Sequence, residues 1–225
     1  MQSAWRANPK IARQLLAAGA DVNAETHFHS TALIEAAASR NAAAPETVRL
    51  LLATGANANA QEGNGDTVLI HAAKNDSDAS LETLRLLLEA GAQVNIPGWC
   101  GQTALMCVAG DNKMQKEKIK LLRTPVADVN TRDIHGNTPL MNAAHSGNNE
   151  AVRLLLDAGS DVNARDKHGW TALLWAALGE NIETIHLLLD AGAYPLSQLN
   201  PKPRLSFPFF IRKEILRTLK DAGAL

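Results

Sequence analysis

The stretch TPLMNAAHSGNNEAVRLLLDAGSDVN, residues 138–163, decides the fold. Thr138 and Pro139 open an Ala-rich segment with the residues of a helix N-terminus, because a Thr hydroxyl can accept a free backbone N–H and Pro is tolerated at the first helical position. EAVRLLLDAG then carries apolar residues at the 3.6-residue helical period and ends at Gly159, the usual residue of a left-handed helix cap. The stretch predicts a short helix, a loop and a longer second helix.

The Thr-led motif occurs five times, at intervals of 36, 36, 35 and 33 residues. A second motif, of the form Gly-Ala-x-x-Asn, follows each Leu-rich helix in the same phase. Two motifs repeating together over most of the chain indicate a repeat protein. The first motif begins at Thr31, Thr67, Thr103, Thr138 and Thr171, and the second at Gly19, Gly55, Gly91, Val126 and Gly159.

These motifs resemble those of the ankyrin repeat family. Their TALM and TPLM sequences are similar to those of bacterial members. The resemblance implies an all-α solenoid in which β-turn fingers project from stacked antiparallel helix pairs. It implies five full repeats with half-repeat caps at both ends of a single domain, residues 1–225. The units are an N-terminal half repeat 1–23, repeats 24–59, 60–95, 96–130, 131–163 and 164–196, and a C-terminal cap 197–225.

Two departures from the repeat pattern produce further expectations. Val126 stands where Gly is expected, and a β-branched residue in the left-handed region costs about 1–2 kcal/mol. We therefore expect no positive φ at Val126. In the first three repeats the segment between the helices is also enlarged, because the spacing from Thr to the helical Glu is 15, 15 and 14 residues instead of 12. These loops are either neutral drift of surface segments or a second contact surface.

Charge and composition exclude several classes of protein. The chain has 23 acidic and 22 basic residues, a formal net charge of −1, whereas a general nucleic-acid binder or a polybasic membrane-surface protein needs a basic excess. No apolar run approaches the ~18 residues of a membrane span. Two cysteines are too few for a disulfide scaffold or a Cys-based zinc site. We expect a monomer without metal or cofactor, cytoplasmic by default; periplasm or secretion is compatible if a signal peptide was removed.

Catalytic motifs are also missing from the sequence. There is no GxSxG, no HExxH and no Gly-rich phosphate loop. The Glu residues that recur, such as Glu46 and Glu150, begin helices, where a carboxylate favours the helix dipole. The sequence therefore predicts that the protein is not an enzyme.

The recognition surface remains as the candidate site. In the ankyrin family partners usually dock on the concave face of fingers and inner helices, and large exposed apolar residues signal contact sites. Trp99 and Trp170 are the candidate anchors; alternatively each Trp packs onto the next finger, and Trp175 is expected to lie partly in the core. The candidate binding residues are Phe28, Trp99, Ile134, Lys167, His168 and Trp170 on fingers, and Glu35, His71, Asn142 and Trp175 on inner helices.

Three asparagines carry a further hypothesis from the resemblance. Animal ankyrin repeats with Leu eight residues before the Asn of D-V-N are substrates of an asparagine hydroxylase. Asn23, Asn130 and Asn163 have that spacing. The alternative is that each amide simply bonds the backbone of the turn.

The sequence leaves two main functions open. The first is a protein-interaction module that binds a partner protein through the concave face. The second is a structural spacer, or a fragment of a longer ankyrin array, that binds nothing in this segment. An enzyme with an unrecognised site is a third alternative, which would need a deep pocket of acid–base residues.

Overall fold

The computed structural model describes residues 8–111, 116–123, 127–195 and 209–223. In that part of the chain the secondary structure is helical, with one isolated bridge between Gln61 and Thr67 and no strand. The chain forms two compact units, Met1–Ala104 and Leu105–Leu225. None of the described helices is both long and apolar enough to cross a membrane. Val126 lies outside the described residues, as do parts of the third enlarged loop and of the C-terminal cap.

The first unit alternates short and longer helices. The short helix α2 packs against α3 and also against α4, its counterpart in the next repeat; α3 packs in the same way against α1 and α5. Helices α2 to α5 are therefore each buried partly by their own pair and partly by a neighbouring pair, as a repeat fold requires. The helices are α1 (Pro9–Ala17), α2 (Ala32–Ala38), α3 (Ala44–Ala53), α4 (Val68–Lys74) and α5 (Ser80–Glu89).

The second unit has the same arrangement. Here α8 packs against α9 and α10, α9 against α7 and α11, and α10 against α11 and α12. The helices are α6 (Ala104–Ala109), which begins at the boundary between the units, α7 (Lys116–Leu122), α8 (Pro139–Ser146), α9 (Asn149–Asp157), α10 (Ala172–Leu178), α11 (Ile182–Asp190) and α12 (Phe209–Asp221).

Three of the Thr residues cap their short helices as the sequence predicted. The hydroxyls of Thr31, Thr67 and Thr138 accept the backbone N–H three residues later, at 3.1–3.3 Å. The side chain of Thr171 makes no such bond, so the capping prediction is wrong there. The longer helices end as predicted at glycines with positive φ, which a residue without Cβ adopts readily. These are Gly19, Gly55, Gly91, Gly159 and Gly192.

The core consists mainly of aliphatic side chains, with many alanines on the short helices. Ala36, Ala72, Ala143 and Ala176 are fully buried on the four short helices that directly follow Thr residues 31, 67, 138 and 171. A side chain of one methyl group lets neighbouring helix backbones approach closely, and Leu, Ile and Val side chains fill the remaining space.

A hairpin-like turn precedes each of the five Thr-led segments, and we call these turns fingers 1 to 5. In each finger the N–H of the first residue donates to the C=O of the fifth, and the N–H of the fourth donates to the C=O of the first. The fourth residue has a positive φ and is Gly in four fingers and His29 in finger 1. This is the pattern of a tight turn closed by a left-handed residue. The fingers are residues 26–30, 62–66, 98–102, 133–137 and 166–170.

Asparagine side chains join consecutive repeats. The Nδ2 of Asn163 donates to the carbonyl of Gly192 at 3.1 Å, while its Oδ1 accepts the N–H of Tyr194 at 2.8 Å. Asn23, Asn59 and Asn130 each make the equivalent pair of bonds to the repeat that follows. One amide group therefore satisfies a donor and an acceptor at the end of the next longer helix.

We predict that Asn163→Ala lowers the free energy of unfolding by about 1–2 kcal/mol, because two hydrogen bonds worth about 0.5–1.5 kcal/mol each are lost. Asn163→Asp keeps the acceptor but loses the donor. Its free energy of unfolding should therefore lie between those of wild type and Asn163→Ala. The measurement is urea denaturation followed by far-UV circular dichroism. Equal stability of all three proteins would contradict a linking role for this amide.

Candidate functional site

Three of the four apolar finger residues that we expected at the surface are exposed. The exposed fractions are 69 % for Phe28, 62 % for Trp99 and 49 % for Ile134. Phe28 is the third residue of finger 1, and Trp99 and Ile134 are the second residues of fingers 3 and 4. These positions lie at the tip of the turn. The expectation of exposure is confirmed for these three, and their role in binding stays a prediction.

Trp170 is not an exposed anchor, and that expectation is wrong. It is 1 % exposed, and its ring centroid lies 5.3 Å from that of Trp175. Trp170 is the fifth residue of its finger. The fifth residues of fingers 1 and 2, Ser30 and Asp66, are also buried, whereas those of fingers 3 and 4 are half-buried. The indole therefore packs in the interior. This agrees better with the alternative that Trp170 has a structural role.

We predict opposite behaviour for the two tryptophans. Trp170→Ala should lower the free energy of unfolding by about 3–5 kcal/mol, since it removes a large, fully buried side chain. Trp99→Ala should change it by less than about 1 kcal/mol, because surface substitutions have small effects. Urea denaturation followed by circular dichroism measures both. A stable Trp170→Ala variant, or a strongly destabilised Trp99→Ala variant, would reverse the assignment of the two side chains.

The four inner-helix candidates are half-buried, and three of them contact their own finger. Glu35 accepts the hydroxyl of Ser30 at 3.0 Å, and Nε2 of His71 lies 3.3 Å from Oε1 of Glu62. Nε1 of Trp175 donates to Oδ2 of Asp166 at 3.3 Å. Each of these residues is the fourth after the Thr that precedes its helix. This position therefore supports the base of the finger and is only partly available to a partner.

Asn142 occupies the same position on α8 but contacts the preceding inner helix. Its Nδ2 donates to the carbonyl of Met106 at 3.4 Å. It is half-buried, so part of its side chain remains accessible. Its role in binding remains a prediction.

Lys167 and His168 form the exposed tip of finger 5. The N–H of Lys167 donates to the carbonyl of His135 at 2.9 Å, which joins fingers 4 and 5. The N–H of His168 donates to Oδ1 of Asp166 at 2.8 Å. Their backbones are held while their side chains point away from the core, so in the second unit these two residues and Ile134 form the exposed part of the candidate site.

A buried carboxylate joins fingers 2 and 3. The side chain of Asp66 is 5 % exposed; its Oδ2 lies 2.6 Å from Nζ of Lys74, and its Oδ1 accepts the N–H of Trp99 at 2.8 Å. Burial alone would raise the pKa of Asp66, but the bonds from Lys74 and Trp99 and the positive charge of Lys74 outweigh burial, so this pKa lies below its ordinary value. The carboxylate therefore holds the backbone of the finger that carries Trp99.

Asp66 also belongs to a group of potential metal ligands with Glu62 and His71. One ligand atom of each lies within 4.8 Å of the others. However, Lys74 and the N–H of Trp99 already occupy the two oxygens of Asp66. A metal ion would have to displace an ammonium group at 2.6 Å. We therefore assign Asp66 to the support of fingers 2 and 3.

We predict that Asp66→Asn destabilises the protein by about 1–3 kcal/mol at neutral pH, because a buried group loses a charged hydrogen bond. The pKa of Asp66 is lowered in the folded state, so its stabilising effect is complete above the unfolded carboxyl pKa of about 4 and is lost as pH falls through the folded pKa. The difference in unfolding free energy between wild type and Asp66→Asn should therefore shrink in acid. Urea denaturation at a series of pH values tests this, and a difference independent of pH would contradict it.

Several contacts were not anticipated from the sequence. The N–H of Gly63 donates to the carbonyl of Phe28 at 2.8 Å, which joins fingers 1 and 2. Exposed apolar side chains also occur outside the fingers, at Ile182 and Tyr194, which are 46 % and 52 % exposed. Neither lies in a Thr-led motif. The repeat pattern therefore did not select them.

The first two enlarged loops contact each other. Arg40 forms an ion pair with Asp76 at 3.0 Å, and Nδ2 of Asn75 donates to the carbonyls of Ala37 and Ser39 at 3.1 and 2.8 Å. The two loops are thus fixed relative to one another. A second contact surface at these loops stays a prediction.

The three asparagines that are possible hydroxylation sites make hydrogen bonds within the fold. The amides of Asn23, Asn130 and Asn163 bond the backbone of the following repeat, a link between repeats that the sequence did not predict. Hydroxylation of these residues stays a prediction.

The comparison with protein families agrees with the fold. A family model described as ankyrin repeats (3 copies) matches residues 1–98, 80–166 and 105–198. These matches together span residues 1–198 of 225. No curated protein matches the chain. Proteins with these repeats generally mediate protein–protein interactions and are typically non-enzymatic.

Proposed function

The chain belongs to the ankyrin repeat family, and on that premise we propose that it is a non-enzymatic module that binds a partner protein through its fingers and inner helices. The proposal takes the chain as a monomer without cofactor, nucleic-acid partner or membrane partner. The proposal includes five full repeats between residues 24 and 196, a half repeat at residues 1–23 and a cap at residues 197–225.

The exposure of Phe28 and Trp99 is the observation that carries the proposal. The sequence has only nine aromatic residues of the Phe, Trp and Tyr types, yet two of them are more than 60 % exposed on fingers of the first unit. Large apolar side chains in water are unfavourable for an isolated protein, and aromatic residues are enriched where partners bind. A partner that covers these rings would remove that cost.

The backbone of these fingers is well suited to hold anchors. Finger 2 donates a hydrogen bond to finger 1 through Gly63, and the buried carboxylate of Asp66 accepts one from Trp99 in finger 3. A side chain on a fixed backbone loses less entropy when it is bound. In the second unit Ile134, Lys167 and His168 offer a smaller exposed surface, which we include in the proposal as a separate contact.

We predict that Phe28→Ala/Trp99→Ala loses the partner while the protein stays folded. Truncation of anchor residues costs about 2 kcal/mol or more of binding, which is about thirtyfold in affinity. The measurement is affinity capture from a lysate of the source organism, read by mass spectrometry, followed by calorimetry with the purified partner.

The matched control is Ile182→Ala, which removes an exposed apolar side chain from a longer helix instead of a finger. It should capture the same partner as wild type. Equal capture by wild type and the double variant would contradict the assignment of Phe28 and Trp99. Absence of any specific partner would favour the structural spacer.

A further inference from the structure

We propose that the cleft between fingers 1 and 2 binds a cationic side chain, Arg or Lys, from an extended segment of the partner protein; this inference rests on the proposed function and gives it a chemical specificity. The cleft has a volume of about 380 Å³. It is lined by Phe28 and Ser30 of finger 1, by Glu35 of α2, and by Glu62, Gly63 and Asn64 of finger 2.

The cleft is built into the stacking of the two fingers. The N–H of Gly63 donates to the carbonyl of Phe28 at 2.8 Å, and a Cβ added to Gly63 would lie 3.1 Å from that oxygen. This close approach joins the two walls through their backbones. The cleft therefore exists before a partner arrives, which reduces the entropy lost on binding.

The charge of the cleft favours a cation. Glu35 and Glu62 line it, and of the described residues that line it none is basic. The hydroxyl of Ser30, a neutral group, donates to the carboxylate of Glu35 and holds it in place. Glu62 faces the imidazole of His71 at 3.3 Å, which forms an ion pair only when His71 is protonated. Two carboxylates in one partly enclosed cleft attract a positive group more strongly than they would on an open surface.

The carboxylate of Asp66, in contrast, has its charge balanced by a cation of the same chain. It is buried, and its oxygens bind the ammonium of Lys74 and the N–H of Trp99. Within the described part of the chain Glu35 has no such cation, and its one described side-chain bond comes from a neutral hydroxyl. A cation supplied by a partner would pair with the carboxylate of Glu35, as the ammonium of Lys74 pairs with that of Asp66.

Phe28 adds an aromatic wall. A guanidinium or ammonium group over an aromatic face is attracted by the ring, and an aromatic ring beside carboxylates suits Arg, which stacks and donates two parallel hydrogen bonds. The combination explains why an exposed Phe is next to acidic residues. An apolar occupant would use the ring but would bury two carboxylates without compensation, which is unfavourable.

The test is an NMR titration of the full ¹⁵N-labelled chain with N-acetyl-arginine amide, and with N-acetyl-citrulline amide as an uncharged probe of nearly the same shape. We expect the arginine probe to shift the backbone amides of Gly63 and Asn64, with an affinity at least about fivefold above that of citrulline. Glu35→Gln/Glu62→Gln should weaken the arginine probe at least about fivefold, and Phe28→Leu should weaken it about threefold.

The matched control is Glu89→Gln, which removes an exposed carboxylate at the end of α5 and should leave the titration unchanged. Thermal melts of all variants establish that they are folded. Equal affinity for the arginine and citrulline probes, or undiminished arginine binding by folded Glu35→Gln/Glu62→Gln, would overturn the inference.

Partner capture separates this inference from the proposed function. If Glu35→Gln/Glu62→Gln captures the partner as wild type does, while Phe28→Ala/Trp99→Ala does not, the cationic cleft is rejected and the interaction module stands. If wild type captures no partner at all, the proposed function fails, and the titration still decides whether the cleft binds a cation.

Discussion

The structure depends on the stacking of helices that are too short to be stable alone. The first-unit helices have seven to ten residues, whereas isolated helices below about 12–15 residues are marginal in water. Each helix must therefore bury its apolar face against the next repeat. The buried alanines set a close spacing, and the Thr caps, Gly caps and bridging Asn side chains all maintain that spacing. Stability then becomes a sum of contacts between neighbours.

Stacking also determines where a side chain is available for binding. The fifth residue of a finger is buried in fingers 1, 2 and 5, and the fourth residue after the Thr contacts its own finger at Glu35, His71 and Trp175. The exposed apolar side chains of the fingers lie at the tips instead. Trp170 and Trp99 are the same residue type in the same kind of turn, yet one is 1 % and the other 62 % exposed. The position within the finger, and not the residue type, separates a core Trp from a candidate anchor.

The sequence predicted the fold well because each element has a local signal. Thr and Gly mark the helix ends, and the period of about 33–36 residues marks the stacking. It predicted the exposure of Phe28, Trp99 and Ile134 but not the burial of Trp170, because the pattern defined the finger without fixing which of its positions face inwards. The Asp66–Lys74 pair was missed for another reason: it depends on burial at the junction of two fingers, which no single repeat reveals.

The carboxylates near the fingers divide into two kinds. Asp133 and Asp166 each accept two backbone N–H groups of their own turn, and Asp66 accepts one from the next finger as well as the ammonium of Lys74. These three are buried, and the fold consumes their hydrogen-bonding capacity. Glu35 and Glu62 are half-buried, have longer side chains and accept no backbone N–H in the described structure. The turns do not need the negative charges of Glu35 and Glu62. Substitutions at these two residues can therefore change the charge of the cleft between fingers 1 and 2 without altering the fold. In this part of the molecule the aspartates stabilise the turns, and the glutamates remain available for binding.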